Sequence, residues 1–430
     1  MKLKQTPADF RVEELTAVTP GPAGPFAFYR LDKVGWNTTD ALNSVRRRWK
    51  LDWHRVGYGG LKDRHADTSQ YVTIARGPAE NLDHERIRLV YLGQVAEPYS
   101  SHHITANRFA ITLRALTPHA LRLATAAAEQ VRLTGVPNYF DDQRFGAVNA
   151  DRAFVARELV GGNFEEALKL ALAAPYEFDR AADKKEKQAL RDHWGNWKEC
   201  KAALPRGHAR SLVDYLVAHP TDFKGAVARL RPELKGLYLS VYQSDLWNRF
   251  LGRWVRDRFP ADAVSAVGLR LGDFPVPVRI PDELREPWDA LALPLPSARL
   301  KPPPDADWLP MLTAVLAEDG LTLDKVKVPG LDKPYFSKGD RAASLRPTGL
   351  TWEPGDDDLN RGKRTLRLKF DLPRGCYATM IVKRVTAVRS ANTRRPYGPP
   401  PASWRNVSQT IRAASGPVLF TSPYCGFLRP

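Results

Sequence analysis

Cysteine is scarce in this chain: Cys200, Cys376 and Cys425 are the only three among 430 residues, and they stand far apart. With no CxxC pair, the pattern argues against a structural zinc site and against a disulfide framework, and it fits a reducing cytoplasm. Histidine is also thinly used. Of nine, only His102 and His103 are neighbours, and adjacent strand residues point to opposite faces, which makes them poor co-ligands. No apolar run approaches the roughly 20 residues needed to span a bilayer, and the start, Met1 to Gln5, lacks the apolar core of a signal peptide. The phosphate-loop pattern GxxxxGKS/T is missing, because Lys62 is followed by Asp63; GxSxG and HExxH are missing too. Negative charge is the largest deficit. Lysine and arginine number 65 against 48 acids, a formal charge of +17. Such a balance points to a polyanionic partner, nucleic acid before an acidic membrane surface, with a mere solubility device as the plainer alternative.

What is present reads as a globular chain large enough for two or more cores. Phe26 to Leu31 reads as a strand. Asn37, Thr38 and Thr39 offer capping oxygens to a helix whose Ala41, Leu42, Val45 and Trp49 form an apolar stripe. Arg46, Arg47, Arg48 and Lys50 crowd its other faces, either as a solvated surface or as phosphate contacts. Residues 108–116 alternate like a half-buried strand, and His119 to Leu133 reads as a helix stopped by Gly135 and Pro137. From about 150 helical stretches dominate, around 164–173, 183–201 and 239–259. In the last, Leu239, Tyr242, Leu246, Phe250 and Trp254 recur at helical spacing. Proline then becomes dense between Pro275 and Pro304, which predicts loops or edge strands rather than a long helix. Leu366, Leu368 and Phe370 alternate with Arg367 and Lys369, a strand with one buried face. The tail from Ser390 carries Arg394, Arg395, Arg405 and Arg412 without an acidic residue and reads as a basic arm.

The stretch from Gly60 to Gln70 (GLKDRHADTSQ) carries the most chemistry. Asp63 sits between Lys62 and Arg64 just after a glycine-rich turn. Nearby positive charge keeps a carboxylate ionised even when it is partly buried, and such a group acts as a nucleophile or base without a metal. Three solvated residues on a surface loop would have the same sequence. A second block runs from Gly135 to Gly146 (GVPNYFDDQRFG). Its Asn138 and Gln143 amides suit a base edge, and Tyr139, Phe140 and Phe145 supply either stacking surface or core.

Taken in order, these blocks resemble the TruD family of tRNA pseudouridine synthases. The 60–70 stretch matches the family's GxKDRxAxTxQ motif at each fixed position. Residues 138–146 match its NYFGxQRFG block. Lys4, Pro7, Asp9, Phe10, Val12 and Glu14 match an N-terminal KxxPxDFxVxE-like segment. Residues 238–251 are similar to its QSxLFN helix, and 368–380 to its final strand and LPxGxYAT turn. The chain departs from the pattern at Asp141, which replaces a glycine and adds negative charge beside an expected RNA-facing loop. Trp247 replaces phenylalanine, and Lys383–Arg384 stands where Arg–Glu is usual.

The resemblance implies an α+β fold with a pseudouridine-synthase-like mixed, mostly antiparallel sheet. Residues 1–158 and 341–395 would form the catalytic domain. An inserted α/β accessory domain at 159–340 would form the other wall of an RNA-binding cleft, while the basic, proline-rich tail at 396–430 matches nothing in the family. It further implies Asp63 and Lys4 as catalytic residues. Phe10, Asn138 and Tyr377 would contact a target uridine and Phe140 would be a cleft aromatic, with Lys62, Arg64, Gln70, Gln143 and Arg144 also on the substrate side. The partner is tRNA, with position 13 the expected site, and neither cofactor nor metal is called for. A non-catalytic RNA-binding or chaperone protein accounts for the charge and aromatics equally well, but gives the carboxylate of the KDR triplet nothing to do. An RNA nuclease would need a paired acid near Asp63, and Asp67 is the only neighbour.

Overall fold

The computed structural model describes residues 1–387, apart from 150, 177, 178, 332 and 334; the tail expected at 396–430 lies outside them. The chain divides into two compact units, Met1–Val136 with the chain from Leu345, and Pro137–Ser344. The first crossing therefore comes earlier than the expected boundary at 158, and the Asn138–Gly146 block falls in the second unit. Gly135 marks the reason. Its φ of +64° ends the preceding helix, and a Cβ there would stand 2.7 Å from the carbonyl of Leu345, so the outgoing and returning chain run side by side.

In the first unit one ten-stranded sheet is built from β1 (Lys2–Leu3), β2 (Phe10–Thr16), β3 (Phe26–Val34), β4 (Val56–Tyr58), β5 (Asp67–Ala75), β6 (Leu82–His84), β7 (Ile87–Val95), β8 (Ile104–Leu116), β9 (Thr348–Asp356) and β10 (Arg364–Leu372). The order is β9-β10-β8-β2-β5-β3-β7-β6, with β1 beside β8 and β4 beside β5. All of its pairings are antiparallel except β2 with β5. This is the expected mixed, mostly antiparallel α+β sheet. Burial alternates along the strands: Phe10, Val12 and Glu14 are buried on β2, and Thr68, Gln70, Val72 and Ile74 on β5. Helix α1 (Thr38–Arg48), capped by the Asn37 side chain, packs Ala41, Leu42 and Val45 onto Ala27, Tyr29 and Leu31 of β3. Helix α2 (Pro118–Thr134) packs against β8, β9, β10 and α3 (Ala378–Thr386).

The lone parallel pair fixes where the chemistry falls. Because β2 and β5 run the same way, with Arg11 opposite Asp67, the segments leading into both strands emerge at one end of the sheet. The antiparallel β3 ends there too, with Lys33 opposite Thr68.

The second unit is mostly helical. Its 27-residue helix Pro232–Arg258 buries the stripe read from sequence, Leu239, Tyr242, Leu246, Phe250 and Trp254. The proline-dense stretch begins in the second strand of the hairpin of Val264–Leu269 with Gly272–Pro277, and it also contains a helix, Asp282–Ala290, that holds Pro287. That helix was not expected. Proline's fixed φ suits a helix, and Pro287 deletes a single intrahelical donor. Trp288, 1% exposed and packed on Trp254 and Phe259, holds the segment in place. Among the described residues no helix is long and apolar enough to cross a membrane.

Candidate active site

The turn Gly60–Asp63 is held by five side chains of the first unit. Gln70 on β5 donates its amide to the Gly60 carbonyl (3.0 Å) and accepts from the Thr38 hydroxyl (2.7 Å). That hydroxyl in turn accepts the Lys62 amide N–H at 2.8 Å. Lys62 extends its ammonium to Glu14 (2.8 Å) and Asn107 (2.5 Å). Glu14 lies on the buried row of β2 and is fully enclosed, so its charge requires a cation beside it, which Lys62 provides. Lys33, in the apolar row of Ala27, Tyr29 and Leu31, donates to the carbonyls of Trp36 (2.7 Å), Lys62 (3.3 Å) and Asp63 (3.0 Å).

On this turn the Asp63 carboxylate, 28% exposed, forms an ion pair and hydrogen bond with the Lys4 ammonium, which is 2% exposed. Its other oxygen accepts the His65 amide N–H at 3.0 Å. Burial by itself would raise the Asp63 pKa. The charge and hydrogen bond of Lys4, with the His65 N–H, outweigh it and hold the carboxyl below its ordinary value. Lys4 carries a left-handed backbone, φ +56°, an uncommon state for a non-glycine residue. Its ammonium also lies 4.2 Å from the centre of the Phe10 ring, which is 5% exposed and meets Phe109 edge-on.

The remaining candidates of this unit are less enclosed. Arg64 is exposed and ties its Nε to the Gly35 carbonyl (3.2 Å). Tyr377, half-buried, precedes α3 and accepts the Met380 N–H through its carbonyl. Two expectations change here. Gln70, with no exposed surface, and Lys62, spent on Glu14 and Asn107, brace the turn rather than face a ligand. Lys383 and Arg384 are both buried on α3, and Arg384 donates to Gln130 on α2 at 2.7 Å.

The second unit gathers the other group of candidates. The Asn138 amide donates to the Ala342 carbonyl (3.0 Å) and its Oδ1 accepts from Arg341 (2.8 Å). Both Nε and Nη2 of Arg341 also donate to the Asn138 carbonyl. The Arg341 guanidinium lies over the Phe140 ring at 4.0 Å, and the Trp247 ring meets Phe140 edge-on. Asn248 clamps the Phe140 main chain, accepting its N–H and donating to its C=O, both at 2.8 Å. Arg144 donates to Ser244 (3.0 Å), and Gln143 is exposed. Asp141, expected as a charge beside an RNA-facing loop, is instead 1% exposed, and its carbonyl accepts the Arg144 N–H.

Sequence reasoning did not single out Lys33, Thr38, Asn107, Arg341 and Asn248 as the residues that hold these groups. Lys33 alone left a visible signal, a lysine occupying the buried register of a strand; the others act through contacts distant in sequence.

Comparison with known proteins matches the chain to a family by sequence and by overall fold. The family model described as tRNA pseudouridine synthase D (TruD) covers residues 1–268 and 289–385. A Methanococcus maripaludis protein named "Probable tRNA pseudouridine synthase D 1" is 30% identical over 394 residues, 90% of this chain and 99% of that one. The tRNA pseudouridine synthase D of Leptospira interrogans is 30% identical over 399 residues, 89% of this chain and 95% of its own. A crystal structure assigned to TruD from Methanosarcina mazei superposes with a TM-score of 0.70 at 26% identity, covering 90% of this chain and 93% of the other.

Proposed function

Because the chain belongs to the TruD family of tRNA pseudouridine synthases, we propose that it isomerises a uridine of tRNA, uridine 13 by family resemblance, to pseudouridine through Asp63. The observation that carries the reading is an ionised, partly exposed carboxylate held on a braced turn against an enclosed lysine. Pseudouridylation breaks the N1–C1′ bond, turns the freed uracil, and joins C5 to C1′. The proton leaving C5 is balanced by one gained at N1, so neither redox state nor phosphate changes. Asp63 either adds to C1′ or assists an elimination toward a glycal; in both roles it must be unprotonated, the form that Lys4 maintains.

The target uridine has to leave the RNA stack, at a cost of a few kcal/mol. Stacking on an aromatic returns roughly 1–3 kcal/mol. Tyr377, half-buried, is the better candidate for that contact, whereas Phe10 is enclosed and props Lys4. The +17 charge supports backbone binding that weakens with salt. The test is to incubate the protein with unmodified tRNA and map pseudouridine by chemical labelling. Asp63→Asn is expected to keep tRNA binding and give no product; a variant that still forms pseudouridine removes Asp63 as the catalyst.

A further inference from the structure

We propose that Lys33 is a positioning residue for Asp63, holding the turn by the main-chain oxygens of Lys62 and Asp63. The inference rests on the Asp63 reading above and adds a residue that no motif of the chain contains. Lys33 is 1% exposed and sits in a strand row otherwise filled by Ala27, Tyr29 and Leu31, where an aliphatic residue would suit the core better. A buried ammonium is costly unless its hydrogens are all used. Here an ammonium with three donors meets three carbonyls, those of Trp36, Lys62 and Asp63. Two of the three belong to the residues that present the carboxylate, and the third belongs to the turn leading into α1. Lys33 thus joins the catalytic turn to β3 and the start of α1 through a single charged atom.

The charge of that atom matters, because a neutral amine has only two N–H donors for the three acceptors. Burial pushes the Lys33 pKa down to about 7, with Asp63 opposing the drop and Lys62 adding to it. Its cross-strand neighbours, Thr68 on β5 and Ile87 on β7, are uncharged. As pH rises, Lys33 loses its proton, one carbonyl loses its donor, and the turn loosens around Asp63. Bound RNA phosphates favour the ammonium, so the alkaline limb of kcat/KM, which reports the free protein, lies near 7 and that of kcat lies higher.

The experiment measures kcat and KM for tRNA from about pH 6 to 9 in the wild type, Lys33→Met and Asp63→Asn, with thermal melting of each. Lys33→Met is expected to hold KM within about threefold, lower kcat about 100-fold, and lose the alkaline limb. A folded Lys33→Met with wild-type kcat, or one that keeps the limb, overturns the proposal. Should that variant not fold, the wild type decides: no alkaline limb in that range also overturns it. An active Asp63→Asn would instead overturn the reading on which this one rests, so the two failures are distinguishable.

Discussion

The two units hold their candidate groups by opposite means. In the first, the candidate groups are charges held by other charges and by main-chain oxygens: partly exposed Asp63 against Lys4, Glu14 against Lys62, and Lys33 against three carbonyls. In the second, a guanidinium lies on an aromatic ring, and the polar atoms of Asn138 and Asn248 are turned onto the main chain. The contrast fits the role proposed for each. A reacting carboxylate needs a fixed field and a fixed place, because each pKa unit is worth about 1.4 kcal/mol between its two states. An aromatic platform needs only a rigid face, which packing and hydrogen-bonded backbone provide.

The sharpest way to break the comparison is Asp63→Asn, which removes the charge and keeps the shape. The expected loss in kcat is about 10⁴-fold or more, with tRNA binding and melting temperature nearly unchanged. Lys4→Met comes next, with a loss of about 100-fold in kcat and a shifted pH profile. In the wild type the Asp63 pKa is depressed, so its ion pair contributes stability above the unfolded-state pKa, and this is lost as pH falls through the lower folded value. Without Lys4, burial is opposed by the N–H and the nearby ring of His65. The carboxyl pKa rises, and an acidic limb in kcat moves upward in pH. A limb that stays put would detach Lys4 from the carboxylate.

Arg341→Met probes the other unit. It leaves the Asn138 Oδ1 without its donor and bares one face of Phe140, so a stability loss of about 1–3 kcal/mol is expected from denaturant melts. Its activity should fall about tenfold with an unchanged pH profile, since no catalytic charge is touched; a profile that moves would mean that the two groups are electrostatically coupled. The smallest effect is expected from Gln143→Ala, about a threefold rise in KM for tRNA and no change in melting, because the side chain is exposed and its loss removes a single hydrogen-bonding group.

Much of this was legible in the residues because the signals were local. The strands at 26–31, 108–116 and 366–370, the Asn37 cap, and the stripe of the helix Pro232–Arg258 are periodicities of two and 3.6 written directly in the chain. Motif likeness placed Asp63, Lys4 and Phe10 in one site, and the structure sets Lys4 against both of the others. Which residues brace the site was hidden. Gln70 and Lys62 sit beside Asp63 in the motif and look like ligand contacts, yet their partners are Thr38, Glu14 and Asn107, from three other segments. The Asp282–Ala290 helix stayed hidden for the same reason, since burial of Trp288 outweighs a local proline signal.

Sequence by itself determined most of the elements, the excess of positive charge, and the candidate carboxylate, since each depends on residue type and short spacing. Tertiary structure alone decided that Lys4, 59 positions away, protects that carboxylate's charge, and that Lys33 grips the turn beneath it. Hydrogen bonds and ion pairs act over a few ångströms of space. Here a parallel pairing of β2 with β5, which no local pattern encodes, sets those ångströms.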